Sequence, residues 1–564
     1  MDTAVRKRRA KTRTDPVTAE LVRTSLIAAT EEMKSVLMRT SYNMIIYEAL
    51  DFTVGLFDRD GRTLSIGLGL PMFIRGMSDT VIAKVKHFGY EGIEPGDVLL
   101  TNDSYITGSH LNHLTFSIPV FAKNRIVGFS TCMAHWIDVG GILNGMTFDI
   151  YSEGLQIPIV KYARRGVVNQ DVHDFIRMNV RRPERAMGDL EAQLSACRVG
   201  VRHFEEMLAR HGTATTLRAF DDIMDQTQAE ARLAVASIPD GTYEAESQMD
   251  DDGVDLERPI PIKVKVVVCG ERMTVDLSGV STQVAGFYNS NAGVACAQVA
   301  FKCIALPHDY PMNDGGCRQL EVIVPPGTVV SAVHPAPYRV WMTYPMTVVD
   351  TIFKALAPAI PERVAAGHHA DLNVANVNGI HPRDGRLWIY LAGLIGGGWG
   401  AKSDEDGMSA TIALNDGDTH NGPSEQVENK YPLIVRRYAL REDSGGAGTF
   451  RGGLGTELVV ECTAPINYMA RVERVKNPPW GLAGGHAAFG NQIEIRRKDG
   501  SATVFPNGKV NTRLAAGETY IMRSGGGGGF GDPRERDRAA VRRDVRQGYV
   551  SIEKARGEYG LKDD

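Results

Sequence analysis

Three of the chain's fourteen histidines, His110, His113 and His135, fall in one stretch that also carries Asp103 and Asp138. Neutral imidazoles are the commonest metal ligands in proteins, and carboxylates beside them serve as further ligands or as partners that orient the rings. The stretch runs Thr101-Asn-Asp-Ser-Tyr-Ile-Thr-Gly-Ser-His-Leu-Asn-His113, passes through an apolar segment and reaches Ala134-His-Trp-Ile-Asp-Val-Gly-Gly141. Asp51 offers another carboxylate upstream. The chemistry such a set supports is activation of water by a bound metal. The pattern is not the HExxH of zinc proteases: Leu111 stands where the Glu belongs, and the second histidine comes one residue early.

The elements that must position these residues follow from the pattern around them. Residues 113–121 and 127–135 read as strands, with Lys123-Asn124-Arg125 as a three-residue hairpin loop. A hairpin centred on Asn124 sets His113 directly opposite His135 on one face. Opposed side chains have Cβ atoms about 4.5–5.5 Å apart. That suits two imidazoles sharing an ion through bonds of about 2.0–2.1 Å. His110, on the loop leading into the first strand, swings in as a third ligand. Pro119 predicts an edge strand or a bulge. A one-residue slip would turn His135 to the opposite face.

Around this hairpin the chain alternates between helical and extended stretches. Asp15-Pro16 opens a helix to about residue 40, Asp as N-cap and Pro in the first turn. Asp51-Phe-Thr-Val-Gly-Leu-Phe-Asp-Arg-Asp-Gly-Arg62 reads as strand and turn, and 79–90 as a short helix. Residues 97–160 are strands and Gly-bearing loops, 170–237 largely helical, 241–350 mostly β, and 350–365 helical. Residues 375–530 are Gly-rich with short strands, followed by helices at 533–547 and 551–558. The predicted class is α+β, a large mixed multi-layer subunit. It has a metal-bearing β-hairpin in the N-terminal region, a helical middle segment and a Gly-rich, loop-rich β C-terminal part. The divisions are a basic tail (1–14), the metal-site region with its helical segment (15–240), a mostly β region (241–350), a Gly-rich α/β region (351–532) and a helical tail (533–564).

Composition narrows the function classes. Apolar residues are 43%, charged 23% and aromatic 7% of 564 residues, close to the globular average. Only glycine departs, at 60 residues, which predicts tight turns and close backbone approaches. A net charge of −5 provides no global field for nucleic acid or anionic lipid, so neither partner is expected. The basic run Arg6 to Arg13 is followed by no apolar segment, so it does not read as a secretory signal. No stretch approaches the roughly 18 consecutive apolar residues of a membrane helix. The seven cysteines are scattered without a CxxC, which predicts free thiols and a cytoplasmic protein.

Other motifs read as structural. Leu394-Ile-Gly-Gly-Gly-Trp-Gly400 and the run Gly525 to Gly531 match neither a phosphate loop nor a dinucleotide fingerprint. His368-His369-Ala-Asp371 resembles a ligand cluster, but adjacent strand residues face opposite ways. Glu425 and Glu428 fit one solvated helical turn, and Cys317 has no histidine assignable to it.

Several segments together resemble the hydantoinase B/oxoprolinase family, from about Asp15 to near the end of the chain. They are Asp51-Phe-Thr-Val-Gly-Leu-Phe-Asp58, Asn102-Asp-Ser-Tyr with Gly108-Ser-His110, Ala134 to Gly141, Arg451-Gly-Gly-Leu-Gly455, and Pro478-Pro-Trp-Gly-Leu-Ala-Gly-Gly485. The tail Gly525 to Pro533, with Val541 to Ser551, completes the set. The resemblance implies a B-type subunit working with an A-type partner that binds ATP and phosphorylates the substrate or bicarbonate, in a higher hetero-oligomer. It implies a mononuclear metal held by Asp51, His110, His113 and His135. Similar proteins usually carry Asp where His113 stands, and often a second His where Trp136 stands. The nitrogen-rich set favours Zn, Fe or Mn over Mg. The implied reaction is ATP-dependent ring opening of a hydantoin, 5-oxoproline or lactam. The metal would activate water or hold bicarbonate as a relay base, with Asp103 and Asp138 orienting ligands or accepting protons. Two alternatives stand beside it: a subunit of a biotin-independent ketone carboxylase of the acetone or acetophenone type, and a metal-free assembly subunit. The chain is short for the acetone carboxylase type, which favours the hydrolase.

Overall fold

The computed structural model describes residues 13–307, 312–392, 394–413 and 419–562. Most of the predicted basic tail, residues 1–12, lies outside the described residues.

The N-terminal part is built on a seven-stranded sheet. Its strands are β1 (Phe52–Asp58), β2 (Thr63–Leu68), β3 (Val98–Thr101), β4 (His113–Ala122), β5 (Arg125–His135), β6 (Val160–Arg164) and β7 (Val167–Val168), in the order β2-β1-β5-β4-β3-β6-β7. β1 is buried at every position and β5 at all but its first, as strands covered on both faces require. One face carries the helices Pro16–Thr40 and Pro183–His211, the latter tied to β4 where Gln193 Nε2 donates to the Leu114 carbonyl at 2.9 Å. The other face carries the helix Phe73–Phe88, whose buried Lys84 donates to the Thr115 carbonyl at 2.9 Å and to Ser117 Oγ at 3.0 Å. Asp15 caps the first helix by accepting from the Thr18 amide, as predicted.

The β4–β5 hairpin pairs His113 with His135, the predicted register, but by a different route. The strands run on to Ala122 and from Arg125, so the turn is the two residues Lys123 and Asn124, with Lys123 at φ 56°. A bulge beside Val120 and Phe121 then inserts one extra residue on β5. The shorter loop and the bulge offset each other, which restores the pairing at the histidines. Pro119 lies inside the sheet, beyond the Thr115–Ser117 stretch that pairs with β3, so its missing N–H breaks no recorded pairing with that strand.

Two helices start earlier than the sequence predicts, and a third lies where it predicts mostly strand. The helix predicted at 79–90 starts at Phe73; Gly76, which looks like a break, lies where a Cβ would come 2.0 Å from the Thr107 carbonyl oxygen. The helix predicted at 350–365 is Thr343–Leu356, with Pro345 tolerated in its first turn. Gly293–Ala305 is a buried helix inside the mostly β region, because a short, uniformly apolar run carries no period to separate helix from strand.

That region otherwise forms a sheet of β8 (Gly241–Met249), β9 (Ile260–Cys269), β10 (Arg272–Asp276) and β11 (Leu320–Ile323), and its apolar residues share one continuous core with the first sheet. A second core joins two C-terminal sheets. One orders β13 (Leu387–Ala392), β12 (Ala375–Ile380), β16 (Ile466–Arg471) and β19 (Lys509–Leu514). The other orders β14 (Leu433–Leu440), β15 (Thr456–Cys462), β20 (Thr519–Arg523), β17 (Gln492–Arg496) and β18 (Ala502–Val504). Beside them the glycines of 525–529 thread through surrounding backbone: the Gly527 amide donates to the Gly453 carbonyl at 2.9 Å and that of Gly528 to Gly367 at 2.7 Å. A Cβ on Gly527 would lie 1.8 Å from the Trp399 carbonyl oxygen, and one on Gly528 1.9 Å from that of Trp480. No described helix is long and apolar enough to cross a membrane.

Candidate active site

Sheet register builds the site. Phe52 pairs with Ala134 and the His135 amide donates to the Asp51 carbonyl at 3.1 Å, so Asp51 stands beside His135 just before β1 begins. His135 in turn pairs with His113 on β4. Asp51, His135 and His113 thus form one row across three neighbouring strands, on the face that carries Ser117 and the helix Phe73–Phe88. His110 joins from the turn after Gly108, which adopts φ 83° and caps a one-turn helix at Ser104–Thr107.

The three imidazoles form a triangle. Ring centres lie 4.5 Å apart for His110 and His113, 4.9 Å for His110 and His135, and 5.1 Å for His113 and His135. Rings sharing one ion through nitrogens at about 2.0–2.1 Å have centres roughly 4.5–5.2 Å apart for angles between right and tetrahedral. Phe73 packs edge-on to His113 at 4.5 Å, and Trp341 lies behind His110 and His113. All three histidines are buried. Burial pushes the His113 imidazole down to about 3 and holds His110 and His135 well below the usual histidine range. The rings are therefore neutral, the state in which they ligate metals. Asp51 accepts from His113 Nε2 at 2.9 Å; burial pushes its carboxyl up to about 6, against the opposing pull of His135.

His110 Nδ1 donates to the Arg339 carbonyl at 3.1 Å, which fixes its tautomer and leaves Nε2 with a lone pair. That Nε2 is buried without a partner, as are His113 Nδ1 and His135 Nδ1. Each unsatisfied buried polar atom costs about 1–3 kcal/mol. Three in one cluster make a donor set whose chemistry suits a transition metal. Among the described residues, no group of His, Cys, Asp or Glu stands in a ready ion-holding arrangement, and His113 Nε2 is engaged with Asp51.

The histidines open onto a cavity of about 120 Å³ lined by Asp51, His110 and His135 together with Asp138, Glu153, Arg339 and Arg471. Val139, Met342, Leu372 and Leu394 contribute apolar wall. A larger cleft of about 330 Å³ shares Ile137, Ile389 and Leu391 with it.

The two aspartates read as catalytic groups stand elsewhere. Asp103 caps the Ser104–Thr107 turn by accepting from the Tyr105 amide at 2.9 Å, and it does not line the cavity. Asp138 lines the cavity, but its carboxylate pairs with the Arg181 guanidinium at 2.5 Å and accepts from the amides of Arg181 and Gly140. Neither hydrogen-bonds a histidine of the cluster. His368 and His369 belong to a loop and serve different partners: His368 faces Asp350 at 3.4 Å, and His369 Nε2 donates to the Thr411 carbonyl at 3.1 Å. Glu425 and Glu428 are exposed on a short helix, and burial pushes the Cys317 thiol up to about 12. All seven cysteines are free.

Sequence reasoning missed Glu153, Arg339 and Arg471. Glu153 Oε1 accepts from Thr147 Oγ1 at 2.7 Å and from the amides of Tyr338 and Arg339 at 2.9 Å each, while Oε2 is buried without a partner. Burial pushes its carboxyl up to about 7, against those hydrogen bonds. These three residues come from an irregular loop, a connection and a strand end far apart in the chain; no spacing rule links them.

Comparison with known proteins agrees with this architecture. The hydantoinase B/oxoprolinase family profile matches residues 15–533. A Pseudomonas sp. (strain NS671) protein named as the B component of a putative D-/L-hydantoinase is 32% identical, over 97% of this chain and 95% of its own length. The crystal structure of the ATP-dependent caprolactamase from Pseudomonas jessenii superposes with a TM-score of 0.91 at 31% identity, covering 98% of this chain and 97% of that one. A nucleotide-free acetone carboxylase structure shares the fold, with a TM-score of 0.88 at 18% identity over 97% of this chain and 80% of that one.

Proposed function

The chain belongs to the hydantoinase B/oxoprolinase family, and from that premise we propose that it is the metal-bearing B-type subunit of an ATP-dependent cyclic amide hydrolase. The observation that carries this reading is the convergence of Asp51, His110, His113 and His135 beside a cavity with apolar walls. An A-type partner phosphorylates the oxygen of a small cyclic amide, which removes the amide resonance and makes its carbon electrophilic. Water adds there, the C–N bond breaks as the nitrogen takes up a proton, and the acyl phosphate left behind is hydrolysed to carboxylate and phosphate. This chain then completes the ring opening within a hetero-oligomer in the cytoplasm.

Asp51, His110, His113 and His135 would hold one Zn, Fe or Mn ion. When bound, the ion supplies Lewis-acid polarisation and lowers the pKa of water, or holds bicarbonate for the same purpose. The rest belongs to the chain's own residues. The Arg339 carbonyl keeps His110 in one tautomer. Val139, Met342, Leu372 and Leu394 seat the ring and exclude bulk water. Glu153 accepts the proton of the attacking water at Oε2, with a carboxyl shifted by burial to the pH range where such a base works best. Asp138 acts through Arg181, holding the loop that lines the cavity.

The experiment is co-purification with an A-type subunit, followed by turnover assays. Hydantoin, 5-oxoproline and caprolactam are offered with and without ATP, against acetone or acetophenone with labelled bicarbonate. ATP-dependent ring opening is expected. Label fixed into product would move the chain to the ketone carboxylase reading, and full activity without stoichiometric metal would make it an assembly subunit.

A further inference from the structure

The cavity beside the histidines contains two guanidinium groups that form no ion pair with a carboxylate among the described residues. Arg471, at the end of β16, is 9% exposed. Its Nη1 donates to the carbonyls of Ala470 at 2.7 Å and Val510 at 2.6 Å, and its Nε is buried without a partner. Arg339 donates from Nη1 to the Ile142 carbonyl at 2.7 Å and from Nη2 to that of Leu143 at 2.9 Å. Among the described residues neither arginine forms an ion pair, and both line the same cavity.

Of the carboxylates of that cavity, Asp138 and Asp51 are engaged elsewhere, while Glu153 keeps Oε2 without a hydrogen-bond partner and its charge acts on Arg339 without forming an ion pair. Asp138 is paired with Arg181, Asp51 is bonded to His113, and Glu153 Oε1 takes two backbone amides and a hydroxyl. Asp251, whose field reaches Arg471, lies 3.2 Å from Lys509. Burial holds both guanidiniums below the usual arginine range, and the charge of Arg471 acts on Arg339 in the same direction. Backbone carbonyls fix where the two forks stand, but they carry no charge to offset them. A buried charge without a counter-charge is strongly unfavourable unless a ligand supplies it. Planar guanidinium forks match phosphate and carboxylate oxygens.

We propose that Arg471 and Arg339 form an oxyanion-binding subsite, so that this cavity takes its substrate as a compact organic anion with a phosphoryl group on the arginines and its uncharged ring on the apolar wall. The identity of that anion as a phosphorylated cyclic amide rests on the hydrolase reading above; the subsite itself rests on the two unpaired arginines. Its place in the cavity that also receives His110 and His135 gives that cavity two functions. The arginines bond the phosphoryl group while the C–N bond breaks and until the resulting acyl phosphate is hydrolysed, and the histidines face the carbon under attack.

The test uses the purified full chain and inorganic phosphate as the probe, with bicarbonate and uncharged caprolactam as comparison arms. Titration calorimetry on the wild type should show phosphate binding at about one site, at least tenfold weaker in Arg471→Gln, with caprolactam indifferent to the change. Bicarbonate binding tighter than phosphate and equally dependent on Arg471 would overturn the phosphoryl assignment. Equal phosphate binding by wild type and R471Q, or none by the wild type, would overturn the subsite. Should R471Q fail to fold, Arg471→Lys is read the same way; it keeps the charge but loses the fork, and wild-type phosphate affinity in R471K would count against the subsite. In the reconstituted complex, R471Q should raise KM more than it lowers kcat. Phosphate binding lost in R471Q together with ATP-independent turnover leaves the subsite standing and removes the hydrolase reading. ATP-dependent turnover with unchanged KM in R471Q does the reverse.

Discussion

At the histidine cluster, strand register and the turn after Gly108 bring three rings together with centres no more than 5.1 Å apart. Around 525–529 the opposite device operates, and backbones meet because no side chain intervenes. The Gly527 amide bonds Gly453, its carbonyl accepts from Gly446, and Gly528 links Gly367 to Ala401. The first region is a row of donors mounted on a rigid sheet, where a side chain can change and leave the backbone in place. The second has no such tolerance, since its hydrogen bonds exist only at separations a Cβ would forbid. Chemistry and folding are thus divided between two parts of one chain, and substitutions should separate them.

The sharpest break is Gly527→Ala. Its Cβ would meet the Trp399 carbonyl oxygen at 1.8 Å and further backbone at Gly400. Overpacking against rigid backbone should cost at least about 3 kcal/mol. The expected result is little folded protein, or a much lower denaturation midpoint, with metal content and activity lost together. A G527A protein of wild-type stability would show that the lattice is looser than its hydrogen bonds indicate.

His135→Ala should do the converse. The fold should persist by circular dichroism, because the variant removes an unsatisfied nitrogen as well as a ring. Turnover in the complex should fall by roughly 10³-fold, the scale of losing an essential catalytic group.

Glu153→Gln should lower kcat by about 10²–10³-fold and flatten its pH profile. Burial raises the Glu153 carboxyl to about 7. Below that pH it is protonated and cannot accept a proton, so wild-type activity should climb as pH rises through about 7 and then level off. A wild-type profile flat across that range, or an E153Q profile that keeps the climb, would assign the proton to another group.

The smallest effect is expected at Gly557→Ala, at the end of the helix Ile552–Gly557, where a Cβ would meet nothing within 4 Å. Stability should change by no more than about 1 kcal/mol, in the stabilising direction, and activity not at all.

What is legible in the sequence follows the same division. His113 and His135 can be paired from spacing because a hairpin is local, and the pairing holds despite a shorter loop because the bulge on β5 offsets it. His110 is within reach for the same reason. That Asp51 lies beside His135 requires knowing that β1 and β5 are neighbours, and only the family resemblance supplies it. Glu153, Arg339 and Arg471 leave no trace, since each is an ordinary residue in its own segment and gains meaning from long-range packing. The glycine excess is visible as composition, but a count does not say which backbone each glycine must touch. The helix Gly293–Ala305 escapes detection because uniform burial erases the periodicity that marks an amphipathic helix.

The proposed role of the histidine row is to hold one catalytic metal. Elemental analysis of the purified complex with the A-type partner tests it most directly, with wild type beside a His110→Ala/His135→Ala double variant and turnover measured on the same samples. The predicted result is about one equivalent of Zn, Fe or Mn per chain in the wild type, with both metal and activity absent from the folded double variant. A fully active wild-type complex without stoichiometric metal, or a double variant that turns over normally, would contradict it.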